Sequence, residues 1–143
     1  MDFSKLIIGL IILGFTIFAK GQEISNNPID IALTNCLKTE KATMPRAKCY
    51  SIASEAWQQA VKNDYQILLK QVLPEIRIIL KDEQTAWEKY HIFNEKFVTA
   101  KYGKRKGSGY ISVRIIELMK PYRERALELE RRFEDEYKNQ ENL

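Results

Sequence analysis

The chain has little of what most catalytic and metal-binding sites are built from. It holds a single histidine, His91, and two cysteines, too few for a multi-histidine or cysteine-rich metal centre. Six glycines and four prolines in 143 residues exclude a collagen-like or low-complexity polymer. Sustained alternation of apolar and polar residues is missing, and no Asn-Gly or Asp-Gly pair joins two apolar runs, so strands and hairpins have no support. Internal repeats are missing as well. The stretch Gly103 to Gly109, GKRKGSG, does not fit the phosphate-cradling G-x4-G-K-[ST] loop, and Lys106-Gly107-Ser108-Gly109-Tyr110 is not the G-x-S-x-G elbow of a serine hydrolase. Carboxylates such as Asp82 and Glu83 are adjacent in sequence and point to different faces of a helix. These absences lead to the expectation of a non-enzymatic protein with no cofactor and no metal.

Charge is present in both signs: 23 Lys plus Arg against 19 Asp plus Glu, a net of +4. That excess is mild, and no nucleic-acid partner is expected from it. The apolar residues are unevenly spread. After Lys5, Leu6 to Ala19 is an uncharged run of fourteen residues, followed by Ala19-Lys20-Gly21 ahead of Gln22. At 1.5 Å per residue the run spans about 21 Å, short of a hydrocarbon core of roughly 30 Å. The pattern fits a signal peptide over residues 1–21, cleaved between Gly21 and Gln22 where Ala19 and Gly21 supply the small residues; a retained anchor is the competing reading. The expected product is an exported protein, periplasmic or secreted, with no stable membrane span after cleavage.

Cys36 and Cys49 are the only pair the chain can make with itself. In an oxidising compartment they are expected to form a disulfide, which for a loop of this size contributes about 3 kcal/mol; two buried free thiols are the alternative. The spacing is not C-x-x-C, so a redox-catalytic pair is not indicated.

Downstream of the signal segment the periodicity is helical throughout. Ile29, Leu33, Cys36 and Leu37 form one stripe over Pro28 to Thr39. Thr43 is the expected N-cap of a second helix, with Pro45 in its first turn and Cys49, Ile52, Trp57, Val61, Tyr65, Leu68 and Val72 as its apolar positions. Pro74 forces a break and starts a third helix with Ile76, Ile79, Leu80, Trp87, Tyr90, Phe97 and Val98 as its apolar face, ending at Gly103. A fourth helix runs from Tyr110 to about Tyr137 through Ile111, Ile115, Leu118, Met119, Tyr122, Ala126, Leu129 and Phe133, with a kink expected at Pro121. The fold class is therefore all-α: one bundle domain of one short and three long helices over residues 22–138, stapled by one disulfide, with residues 139–143 a frayed tail.

Several of these positions together resemble a family. Cys36-Leu37, Thr43-Met44 leading to Cys49, and Trp57, Val61 and Tyr65 are similar to the lysozyme-inhibitor LprI amino-terminal domain family of small exported bacterial proteins. The pattern continues with Leu80, Glu83-Gln84-Thr85-Ala86-Trp87, and Arg125-Ala126 with Leu129, so it covers about residues 30 to 133. Gln58 and Lys62 depart from the residues usual in the family. The resemblance implies an exported helical domain that binds a protein partner in the cell envelope, with lysozyme-type muramidases as that partner.

Two groups of residues are candidates for such binding. Gln84, Trp87 and His91 recur at helical spacing and share one face, either as a recognition patch or as packing in which Trp87 is largely buried and Gln84 bonds a neighbouring helix. Lys104, Arg105 and Lys106 form a basic loop free of acidic residues, with Lys101 and Arg114 to either side, either solvated or able to hold an anionic lipid or glycan. The sequence sets no oligomeric state.

Overall fold

The computed structural model describes residues 26–141. The expected signal peptide and its cleavage site lie outside the described residues. Within them, α1 (Pro28–Thr39), α2 (Thr43–Gln71), α3 (Pro74–Tyr102) and α4 (Gly109–Glu141) follow one another, with no strand among the described residues. This is the all-α architecture of one short and three long helices. The tail expected over residues 139–143 falls where the backbone of α4 continues to Glu141.

The helix ends follow local chemistry. Asn27 caps α1, its side chain accepting from the Ile29 N–H at 2.9 Å, and Pro28 occupies the first turn, where a missing donor is harmless. At α2 the cap position is Ala42, which has no side-chain bond to give, and Thr43 is already helical. The linker is held instead by Arg46, which donates to the carbonyls of Leu37 at 3.0 Å and Glu40 at 3.2 Å. Pro74 separates α2 from α3, with Val72 and Leu73 extended on either side of the break. Gly103 closes α3 in a right-handed conformation; a Cβ there would meet the Thr99 carbonyl oxygen at 2.5 Å, so the close approach selects glycine. The connecting loop takes its one left-handed residue at Gly107, φ 109°. Pro121 lies inside α4, which is continuous across it.

The core lies between α2 and α4. Trp57, Leu68 and Leu129 are fully enclosed, with Ala53, Val61, Met119 and Ala126 around them. Burial of each large side chain contributes about 1.5–3 kcal/mol, so this interface supplies most of the hydrophobic stabilisation. Helix α1 contains no buried residue. It lays Ile29 and Leu33 on the core and is tied down twice, by the expected Cys36–Cys49 disulfide to α2 and by a forked Asp30–Arg123 pair to α4, with contacts of 2.7 and 3.0 Å.

Three expectations about burial need correction. Ile52 of α2 is exposed, because α1 is too short and too shallow to cover it. Ile111 at the start of α4 is exposed too. On α3, Ile76, Ile79, Tyr90 and Phe97 all face outward, while Leu80, Gln84, His91 and Val98 are the buried positions. Helix α3 carries two apolar stripes, and its main neighbour, α4, covers one of them, with Leu80 reaching the α2 side of the core as well.

Candidate functional site

The covered stripe of α3 meets α4 through polar and aromatic groups. Helical spacing places Glu83, Gln84, Trp87 and His91 on consecutive turns, and the antiparallel α4 brings Tyr122, Arg125 and Arg132 against them. Arg125 is the centre, 3% exposed. Its Nε and Nη2 donate to the Gln84 side-chain carbonyl at 3.2 and 3.1 Å, and its Nη1 donates to Glu83 at 2.9 Å and Glu128 at 3.0 Å. Arg132 binds the same two carboxylates, donating to Glu83 at 2.6 Å. A cation out of water needs this degree of pairing, because removing its solvent shell costs several kcal/mol. The hydrogen bonds from Arg132, then those from Arg125, hold the Glu83 carboxyl below its ordinary range.

One turn on, His91 lies parallel to Trp87, with ring centroids 5.3 Å apart, and edge-on to Tyr122 at 4.1 Å. Its ring is 5% exposed, and neither nitrogen has a hydrogen-bond partner; Nε2 lies 3.5 Å from a Glu95 oxygen, too long for a good bond. Burial pushes its pKa below the ordinary value and outweighs the opposing pull of Glu95. The imidazole is thus held neutral, stacked between two rings. Among the described residues no three His, Cys, Asp or Glu side chains gather as a metal site.

The structure therefore brings Gln84, Trp87 and His91 together, as their spacing predicts, and turns two of the three inward. Trp87 is the exception. It was expected to be largely buried and is only half-buried, although His91 stacks on it, Tyr122 meets it edge-on and the guanidinium of Arg125 lies over the indole.

Lys104, Arg105 and Lys106 are apart from this cluster. From His91 to the end of α3 at Tyr102 is about 16 Å of helix, and the three cations stand beyond it in the loop, exposed. Arg105 is partly ordered: Nε donates to the Lys101 carbonyl at 3.3 Å, and the guanidinium lies over Tyr102 and Tyr110. Lys104 and Lys106 form no ion pair among the described residues, and Lys101 sits over the Phe97 and Tyr102 rings. The result is a cationic, aromatic-edged tip where two long helices turn.

Sequence reasoning missed Arg125, Arg132, Tyr122 and the Asp30–Arg123 pair. Arg125 had a signal, since it belongs to the pattern that carries the family resemblance. Most other residues of that pattern share its internal role, while Thr43, Met44, Thr85 and Ala86 are exposed. Trp57, Val61, Leu80, Ala126 and Leu129 are core, Gln84 receives Arg125, and Cys36 is bonded to Cys49. The pattern is a specification for packing these helices.

Comparison with known proteins bears on the family. A crystal structure of an uncharacterized protein from Burkholderia thailandensis is 29% identical and superimposes with a TM-score of 0.67, over 73% of this chain and 52% of that one. The chain spans about half the length of that protein. No curated protein matches at a significant level. The family model described as lysozyme inhibitor LprI matches residues 35–129, from the residue before the first cysteine to the buried Leu129. With both its sequence pattern and the packing that the pattern encodes in place, the chain belongs to the LprI lysozyme-inhibitor family.

Proposed function

We propose that the protein is an exported, non-catalytic binding domain of the bacterial cell envelope that inhibits lysozyme-type muramidases, and that the loop between α3 and α4 is the part that enters the enzyme's cleft. Family membership over residues 35–129 carries this reading. The loop is chosen on chemistry. Glycoside hydrolases of this kind act through a pair of carboxyl groups flanking the scissile bond. A narrow tip bearing Lys104, Arg105 and Lys106 offers cations to those carboxylates, and Tyr102 and Tyr110 offer the flat apolar surface that sugar-binding clefts accept. Gln84 and His91 set the α3–α4 hairpin that presents the tip, and half-exposed Trp87 extends the contact surface along its side.

Long-range steering contributes little, since the chain is itself cationic, as many muramidases are. Affinity must then come from packed insertion, which salt weakens only slightly. The test is turnover of peptidoglycan by a panel of lysozymes, with and without the purified disulfide-bonded protein, at two salt concentrations. Dose-dependent inhibition that persists at the higher salt, and is lost in a variant with Lys104, Arg105 and Lys106 changed to Ser, supports the reading. No inhibition across the panel removes it.

A second reading has its own observation: the unpaired, accessible Lys104 and Lys106 also suit an anionic lipid headgroup or glycan. Binding of that kind falls steeply with ionic strength, and sedimentation with anionic vesicles at the same two salt concentrations distinguishes it.

A further inference from the structure

Helix α3 has more apolar surface than α4 covers, and most of the excess follows a rule, with Ile78 and Ile92 as the exposed apolar residues of the helix that stand outside it. Ile76, Ile79, Tyr90, Phe93 and Phe97 are between 42% and 67% exposed. With Ala86 they occupy the first and fourth positions of successive heptads, a stripe about 32 Å long from Ile76 to Phe97. Scattered exposed apolar residues are ordinary, whereas a contiguous stripe at 3-4 spacing is the pattern of a helix that pairs with another. Glu83 is the only charged residue within it. Its carboxylate is drawn aside and neutralised by Arg132 and Arg125, so it does not oppose burial of its neighbours.

Flanking charges indicate the occupant. The residue before each first heptad position is Glu75, Asp82, Lys89 and Lys96 in turn, all exposed. Two negative charges occupy the N-terminal half and two positive charges the C-terminal half. A second α3 laid parallel would set Glu75, Asp82 and Lys89 against the uncharged Leu80, Trp87 and Asn94 of its partner and gain nothing from charge; laid antiparallel, it sets Glu75 against Lys96 and Asp82 against Lys89, each pair twice by symmetry. We propose that this stripe is the interface of a two-fold symmetric dimer in which α3 of one copy packs antiparallel against α3 of a second copy.

The same register closes the apolar layers. Ile76 meets Phe93 of the second copy, Ile79 meets Tyr90, and Glu83 meets Ala86, so the one polar position faces the smallest side chain. Phe97 extends past the end of the opposing α3 at Pro74. There it reaches a hollow of about 250 Å³ with an apolar wall of Leu68, Val72, Ile76, Ile79 and Leu80 and a charged wall of Glu83, Arg132, Asp135 and Glu136. Charge, side-chain volume and cavity agree on one alignment. It places the two basic tips at opposite ends of the dimer, free for whatever they bind.

Sedimentation equilibrium of the disulfide-bonded protein across the micromolar range tests this. The expected result is twice the monomer mass, with Phe93→Glu weakening association by roughly thirtyfold or more. Two charge variants sharpen the test, one with Glu75→Lys and Asp82→Lys, the other with Lys89→Glu and Lys96→Glu. Each should be monomeric alone, through repulsion at every flanking pair, and the two should form a one-to-one heterodimer when mixed. All these positions are exposed, and circular dichroism verifies that each variant is folded. A wild-type monomer throughout the range overturns the proposal, as does a dimer indifferent to Phe93→Glu or to the charge changes.

Discussion

Helix α4 offers one face to α2 and another to α3, and the two interfaces are made of different material. Toward α2 it presents Met119, Ala126 and Leu129, which close with Trp57, Val61 and Leu68 into a dry apolar core. Toward α3 it presents Tyr122, Arg125 and Arg132, which meet a glutamine, a glutamate, a histidine and a tryptophan. The first interface gains from removing apolar area from water and tolerates many side chains of similar volume. The second gains little from area and depends on Arg125 and Arg132 meeting Gln84, Glu83 and Glu128, so it fixes register and angle more than it adds stability. A hairpin aligned by such contacts can present a loop tip and a helix face in a defined direction, which is what both proposed binding roles require.

The contrast is open to direct test. In the apolar interface, Leu129→Ala should lower the unfolding free energy by about 4 kcal/mol, since its site is fully enclosed and little can move in to fill it; urea denaturation measures this, and a loss under 1 kcal/mol would show a core far looser than its packing. Replacing Cys36 and Cys49 with Ala together should cost about 3 kcal/mol, and limited proteolysis should then cut first in α1, which keeps no buried side chain of its own. At the polar interface, Arg125→Met should cost about 2 kcal/mol, less than the usual loss from breaking a buried pair because Glu83 and Glu128 can rehydrate at their exposed edges. Adding Gln84→Leu should recover part of that loss, because the stranded carbonyl is then removed as well. If the double variant is no more stable than the single one, the cluster does not behave as a coupled unit.

The smallest effect is a pH dependence. Burial lowers the pKa of His91 in the folded state beneath its ordinary value of 6.5, so the unfolded chain takes up the proton first as the solution is acidified. Stability should be fully present above that value and decline as pH falls toward the folded-state pKa. His91→Phe keeps the stacking and removes the proton site, so its melting temperature should be flatter than wild type from neutral to mildly acidic pH. Glu83 works at lower pH: its folded-state pKa is depressed by the arginines, and its contribution is present above the ordinary carboxylate range and lost as pH falls through the folded value. A wild type as flat as His91→Phe would mean the imidazole is solvated after all.

Much of this arrangement was legible in the chain. Pro74 and the Gly103 to Gly109 stretch mark the helix breaks because backbone chemistry acts locally, and they divide the helices close to where the structure does. The two cysteines could pair only with each other. The face shared by Gln84, Trp87 and His91 follows from helical geometry alone. What could not be read was the side of α3 that faces inward. Both of its stripes have helical period, and the apolar face read from the sequence mixed them: Leu80 and Val98 belong to the buried stripe with Gln84 and His91, whereas Ile76, Ile79, Tyr90 and Phe97 stay exposed.

By itself, then, the sequence determined the helical class, the positions of the turns, the disulfide and the family, since each depends on residue type and on neighbours a few positions away. Tertiary structure alone decided that Arg125 and Arg132 converge on Glu83, that Asp30 reaches Arg123, and that an apolar stripe of α3 remains uncovered. Those outcomes turn on which helix lies against which, and residues more than forty positions apart in the chain meet only when the whole fold has chosen.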